Sequence, residues 1–334
     1  MKYTCVVLMV MFFASCSTNK HEIVNEEAAV KYANTIDKNK LKKLLYTYAS
    51  NKFEGRKTGS KGQKMAALFL KSYYIENNIP SPLDNNAYYQ NIPQAYFDGQ
   101  SVSNSQNVIA YIEGSEKPEE VVVISAHLDH LGVSKNGNVN NGADDDGSGT
   151  VAILQIAKAF NLAAKDGFRP KRSIMFLHLT GEEIGLYGSK YYTQVAPVFK
   201  LKNTVANLNI DMIGRVDDKH KNDRNYLYLI GSNRLSNDLH EISESVNKRF
   251  SKINLDYRYN KKQDPNRFYY RSDHYNFAKK DIPVIFYFNG LHEDYHKHTD
   301  TADKIAYDLL ENRSKLIFHT AWQLANAKTR IKLN

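Results

Sequence analysis

The sequence predicts an α/β fold: one domain with a mixed, mostly parallel central sheet flanked by helices. Three observations lead there. From Asn107 onward, short β-patterned runs alternate with helical ones, as they do when helices connect parallel strands. Several of those runs are apolar almost without interruption, as strands are when helices cover both faces. No linker, internal repeat or low-complexity block divides the 334 residues, and 42% hydrophobic with 24% charged content is ordinary for a globular chain.

The elements follow in order. In "MKYTCVVLMVMFFASCSTNK", one Lys precedes the apolar run 6–14, which is too short to span a bilayer as a mature helix, so residues 1–15 are expected to be an export signal. The "FASC" ending resembles a bacterial lipoprotein processing box and implies a lipidated Cys16; a plain secretory signal cut nearby is the other reading. Residues 16–26 are polar and read as a tether, which leaves 27–334 as the domain. Residues 40–50 and 63–77 each carry an apolar helical stripe, whereas 79–98, with three Pro and several Asn, reads as an irregular connection. Strands are expected at 107–112, 121–126, 173–179, 204–210, 226–231 and 282–288. Helices are expected at 149–164, 187–194, 235–250, 274–280 and 303–328.

The composition narrows the chemistry. Cys5 and Cys16 are the two cysteines, so the domain has neither a disulfide nor a thiolate ligand, and any metal in it must use His and carboxylates. The net charge is +9, and removing residues 1–15 takes away Lys2 and no acid, which lowers it to +8. These basic residues are scattered and accompany no recognition motif, which argues against a nucleic-acid partner.

The polar clusters fall directly after the predicted strands. "VVVISA" leads into "HLDHLG", with His127 and Asp129. "SIMFLHL" leads into "TGEEIGLYGS", with Glu182 and Glu183. "TVANLNI" runs straight into "DMIGR", with Asp211, and "IPVIFYF" leads into "NGLHEDYHKHTDT", with His292, His296 and His298. The loop "NNGADDDGSG" (140–149) packs three carboxylates between glycines just ahead of a helix. In open α/β sheets the carboxyl ends of the strands border the ligand crevice, so five segments bring imidazoles and acids to one rim. Any one of them alone reads as a turn, a satisfied loop histidine or a solvated helix start. Together, uncompensated carboxylates would be costly unless protonated or bound to cations. Histidine beside carboxylate favours zinc or a related transition ion, because calcium takes oxygen ligands alone.

These motifs, "AHLDH", "GADDDGSG", "GEEIGLYGS", "NIDMIGR" and "YHKHTDTADKI", resemble in content and order the co-catalytic zinc exopeptidases of metallopeptidase family 28. The likeness begins near "FEGRKTGSKG" at Phe53 and runs to Ile305. The resemblance implies an exopeptidase acting on peptides with two Zn2+ per chain, bridged by Asp145; with the export signal this reads as an exported aminopeptidase, and removal of dipeptides or of a carboxyl-terminal residue stays open. It implies His127 and Asp211 on one ion, and Glu183 and His296 on the other. It also implies a cis peptide between Asp145 and Asp146, Glu182 as general base, and Asp129 as the partner that fixes the His127 tautomer. The last ligand is His296 or His298; the preceding Tyr295 and the spacing to Asp300–Thr301 favour His296. Asp144 and Asp146 are expected to orient the loop, His292 and His298 to lie on the rim, and Asp273, His274 and Arg215 to be candidates for touching substrate. Two other readings remain at this stage: a single-zinc acyltransferase like glutaminyl cyclase, and a catalytically silent binding lipoprotein. With a lipidated Cys16, the protein would be anchored in a bacterial cell envelope.

Overall fold

The computed structural model describes residues 23–334; the signal segment and Cys16 lie outside them. The helices are α1 (Glu26–Ala33), α2 (Lys38–Tyr48), α3 (Lys61–Glu76), α4 (Gly149–Lys165), α5 (Tyr187–Gln194), α6 (Asn237–Val246), α7 (His274–Ala278) and α8 (Tyr307–Asn326). The strands are β1 (Tyr89–Ile92), β2 (Ser105–Ile112), β3 (Lys117–His127), β4 (Arg172–Leu179), β5 (Thr204–Ile210), β6 (Tyr226–Ile230), β7 (Asn254–Asp256) and β8 (Val284–Phe288). They form one eight-stranded sheet in the order β1-β2-β4-β3-β5-β8-β6-β7. The four central strands β4, β3, β5 and β8 are mutually parallel, and antiparallel pairs appear toward the edges.

The uninterrupted apolar runs reflect helices on both faces. Along β3, Val122, Ile124 and Ala126 enter the larger core with α4 and α8, while Val121 and Val123 enter a second core with Tyr192 of α5 and Phe277 of α7. Between α4 and α8, Phe160, Phe318 and Trp322 stack with ring centroids 4.5–5.8 Å apart. Trp322 also donates its indole N–H to Val24 O (2.7 Å), and Glu26 already opens α1. The last residues of the expected tether are therefore tied to the fold.

Chain order sets the site. From β3 the chain crosses to β4 on one side, then returns to β5 on the other, so the direction of winding reverses at β3. A crevice outside the carboxyl ends of the strands follows from that reversal.

Candidate metal centre

His127 closes β3 and is fixed at both ends. Its backbone N–H donates to Asp146 Oδ2 (3.1 Å), and its carbonyl accepts from Thr150 Oγ1 (2.9 Å). Its Nδ1 lies 3.0 Å from the backbone carbonyl of Asp129, a pure acceptor, so Nδ1 carries the proton and Nε2 presents a lone pair. It is the main-chain oxygen of Asp129, rather than its carboxylate 3.9 Å away, that faces Nδ1 and sets the tautomer. That carboxylate instead accepts from Thr58 Oγ1 (2.6 Å) and from the backbone N–H of Glu182 (3.2 Å), joining the β3 and β4 loops.

The three aspartates of the acidic loop have three different surroundings. Asp144 Oδ1 accepts from Gly214 N (2.6 Å), and its Oδ2 lies 3.2 Å from His292 Nε2. Asp146 accepts from the backbones of His127, Gly149 and Met212. Asp300 receives the N–H groups of Asp144 and Asp145 on its carboxylate. The Asp145–Asp146 peptide is cis, as the resemblance implies. Asp145 is left as the carboxylate that faces the imidazoles. Burial pushes its pKa up, but His127, His296 and His130 outweigh that and hold it well below the usual range. Burial raises Asp146 instead.

Two donor sets share Asp145. On one side His127 Nε2 lies 3.1 Å from Asp145 Oδ1 and 3.6 Å from Asp211 Oδ1, while Ser272 Oγ steadies Asp211 Oδ2 at 2.6 Å. On the other side His296 Nε2 lies 3.2 Å from both Asp145 Oδ2 and Glu183 Oε2. These spacings suit zinc. Ligands about 2.0–2.1 Å from a tetrahedral ion lie ~3.3 Å from one another. His127 Nε2 and Asp145 Oδ2 are also buried with no hydrogen-bond partner among the described residues.

His130 comes within ligand range of Asp145 and Glu183 too, the three offering atoms within 4.8 Å of one another. Its Nδ1, however, is 2.6 Å from Glu183 Oε1, shorter than the edge of a coordination tetrahedron and right for a hydrogen bond. His296 therefore suits the ligand role. Tyr295 stacks on its ring at 3.9 Å, and His298 is exposed and pairs with none of these carboxylates among the described residues. His292, expected on the rim, is buried against Asp144.

The cleft beside the two sets is lined by Asp145, Glu182, Asp211 and His296, with Met212, Phe268, Phe286, Phe288, Leu291, Tyr295 and Arg271 around them. Burial raises the pKa of Glu182 well above the carboxylate range, with Asp211, Glu183 and Asp273 adding to the effect and His127 opposing it. For Glu183, burial and Asp145 push up, but hydrogen bonds from His130 and His296 prevail and lower it.

The three residues expected to touch substrate do not line this cleft. Asp273 is buried, accepts from Ser189 Oγ and is pushed up to about 7 by burial. His274 stacks on Phe286 (4.8 Å) inside the fold. Arg215 pairs with Asp294 at 2.9 Å. Adjacency to a motif in sequence carries no information about side-chain direction, which packing of α7 against β8 decides here. Arg56 has a role that sequence spacing leaves invisible. Fully buried, it donates to the carbonyls of Leu128 (3.1 Å), Asn141 (2.6 Å) and Gly142 (2.9 Å), clamping the β3 loop to the acidic loop.

The pattern of "Peptidase family M28" matches residues 107–321. A protein of Pyrenophora tritici-repentis described as a probable zinc metalloprotease is 34% identical over 155 residues, covering 43% of this chain and 29% of that one. The chain spans less than a third of the length of the first curated relatives it matches. Among solved structures, the LapA aminopeptidase of Legionella pneumophila superposes with a TM-score of 0.70 at 20% identity, covering 98% of this chain and 81% of that one. A glutaminyl cyclase of Bacteroides thetaiotaomicron superposes with a TM-score of 0.65 at 16% identity, covering 86% and 98%.

Proposed function

The chain belongs to peptidase family M28, and we propose that it is an aminopeptidase that holds two zinc ions and hydrolyses N-terminal residues from peptides. The observation that carries this reading is the pair of donor sets meeting at Asp145: His127 with Asp211, and Glu183 with His296. When bound, paired zinc ions supply Lewis-acid polarisation of a peptide carbonyl and acidify a water. Glu182 lines the cleft outside both donor sets, so its carboxylate is free to take the proton from the attacking water and pass it to the leaving amine. Asp129 holds the Glu182 backbone and the His127 ring in one frame. Phe268, Phe286, Phe288 and Leu291 form an apolar wall that suits an apolar first side chain and keeps water from the reacting bond.

A single-zinc acyltransferase would leave one donor set without an ion, and a silent scaffold would not need Glu182 beside a complete set. A panel of amino-acid amides and dipeptides, with and without chelator, tests the reading. Chelator-sensitive release of apolar N-terminal residues supports it; cyclisation of N-terminal glutamine without peptide cleavage contradicts it.

We also propose export and lipid anchoring through Cys16, supported by the sequence of residues 1–16. Among the described residues no helix is long and apolar enough to cross a membrane. Incorporation of labelled fatty acid that Cys16→Ser abolishes would bear the anchoring out; label retained in that variant, or absent from the parent, would not.

A further inference from the structure

We propose that His130 is a positioning residue for the second metal site: it donates Nδ1–H to Glu183 Oε1 and so restricts Glu183 to offering its other oxygen, Oε2, to an ion. The proposal rests on the two-metal reading and goes beyond the five ligands that reading requires. The His130 ring is buried, with Nδ1 2.6 Å from Glu183 Oε1 and 3.8 Å from Asp145 Oδ2. It has little freedom to turn. Its backbone N–H is held by Arg56 O (3.2 Å), and a Cβ on Gly142 would come within 2.5 Å of its Cδ2, so the ring fills the space glycine leaves. Nε2 has no hydrogen-bond partner among the described residues, which leaves the contact with Glu183 as the polar interaction that orients the ring. Glu183 Oε2 and Asp145 Oδ2 each lie 3.2 Å from His296 Nε2. With Oε1 occupied, Glu183 completes that three-atom set with a single oxygen. A ligand carboxylate deprived of such a partner typically loses about ten- to hundredfold in metal affinity.

Zinc titration of the full protein against a chromophoric chelator, with wild type, H130L and H130N, tests this. We expect two equivalents in wild type. In H130L the first should bind as in wild type and the second about ten- to hundredfold more weakly. H130N, whose amide N–H can stand where the imidazole Nδ1–H does, should restore most of the loss. H130L matching wild type at both sites overturns the proposal, whereas wild type that takes up no second zinc overturns the two-metal reading beneath it. A second measurement does not depend on H130L folding. In wild-type protein loaded with 113Cd and labelled with 15N-histidine, metal–nitrogen coupling should appear at His127 and His296 and not at His130. Coupling at His130 would make it a ligand and end the proposal.

Discussion

Replacing Arg56 by Met tests how the two loops of the centre are held. The guanidinium satisfies three carbonyls at 2.6–3.1 Å and lies 4.6 Å over the Tyr48 ring. Hydrogen bonds to a charged donor contribute about 1.5–3 kcal/mol each. Methionine keeps much of the stem's packing, so the low end applies, and three bonds come to about 4.5 kcal/mol. With an unfolding entropy near 2.1 cal/mol/K per residue, about 300 ordered residues give ~0.6 kcal/mol/K and a Tm lower by roughly 7 °C. Differential scanning calorimetry on zinc-free protein reads this directly, and Arg56→Lys, with one ammonium for three acceptors, should fall between. A drop for Arg56→Met smaller than about 2 °C would refute the clamp, because no arrangement that leaves those buried carbonyls unpaired is so cheap.

Further outcomes follow from the same geometry. Glu182→Gln should retain both zinc ions and lose about 10²–10⁴-fold in kcat; near-normal turnover would remove Glu182 from the base role. Gly149→Ala puts a Cβ 2.4 Å from Asp146 Oδ1, so it should cost about 1–3 kcal/mol of stability and weaken zinc loading through the His127 backbone; unchanged urea midpoints would show that the carboxylate can move freely. Burial pushes the imidazoles of His178, His274 and His319 down to about 3, whereas unfolded histidine titrates near 6.5. Because the unfolded chain binds more protons across that window, stability should be level above pH ~6.5. Below it, each histidine should remove about 1.4 kcal/mol per pH unit. His319→Gln should flatten the acid limb by that amount in urea titrations, and an unchanged slope would mean the ring is charged inside the fold.

Much of this architecture was legible because its signals are local. The helix 187–194 and the strand 204–210 begin and end where composition and periodicity place them, and the polar residue after each central strand does reach one rim. What escaped depends on partners distant in sequence. β1 lies inside the Pro- and Asn-rich stretch 79–98 and is a strand only because it pairs with β2 at the sheet edge. α1 follows a polar leader and is stabilised by Ala29, Tyr32 and Ala33 entering a core built mostly from later segments. The expected helix 235–250 widens into a π turn at Asn247–Ser251 after Val246 and is capped by Lys252 with φ 50°. The expected start at Asp303 is a separate short turn before α8. In the site, the clusters holding His127, Glu183, Asp211 and His296 were legible from their place after central strands and the Asp145 loop from its run of acids, while the choice of residues within each cluster came from the family resemblance. The Glu183 partner His130 could not, because 53 residues separate the two and nothing in "AHLDH" says which way its last ring turns.

Two zinc ions meeting at Asp145 are what every proposed role in this site requires, and anomalous scattering at the zinc edge from zinc-loaded crystals addresses that directly. Two peaks are predicted, roughly 3.5–4 Å apart on either side of the Asp145 carboxylate. One should lie against His127 and Asp211, the other against Glu183 and His296. A single peak, or a pair that Asp145 does not bridge, would contradict that arrangement.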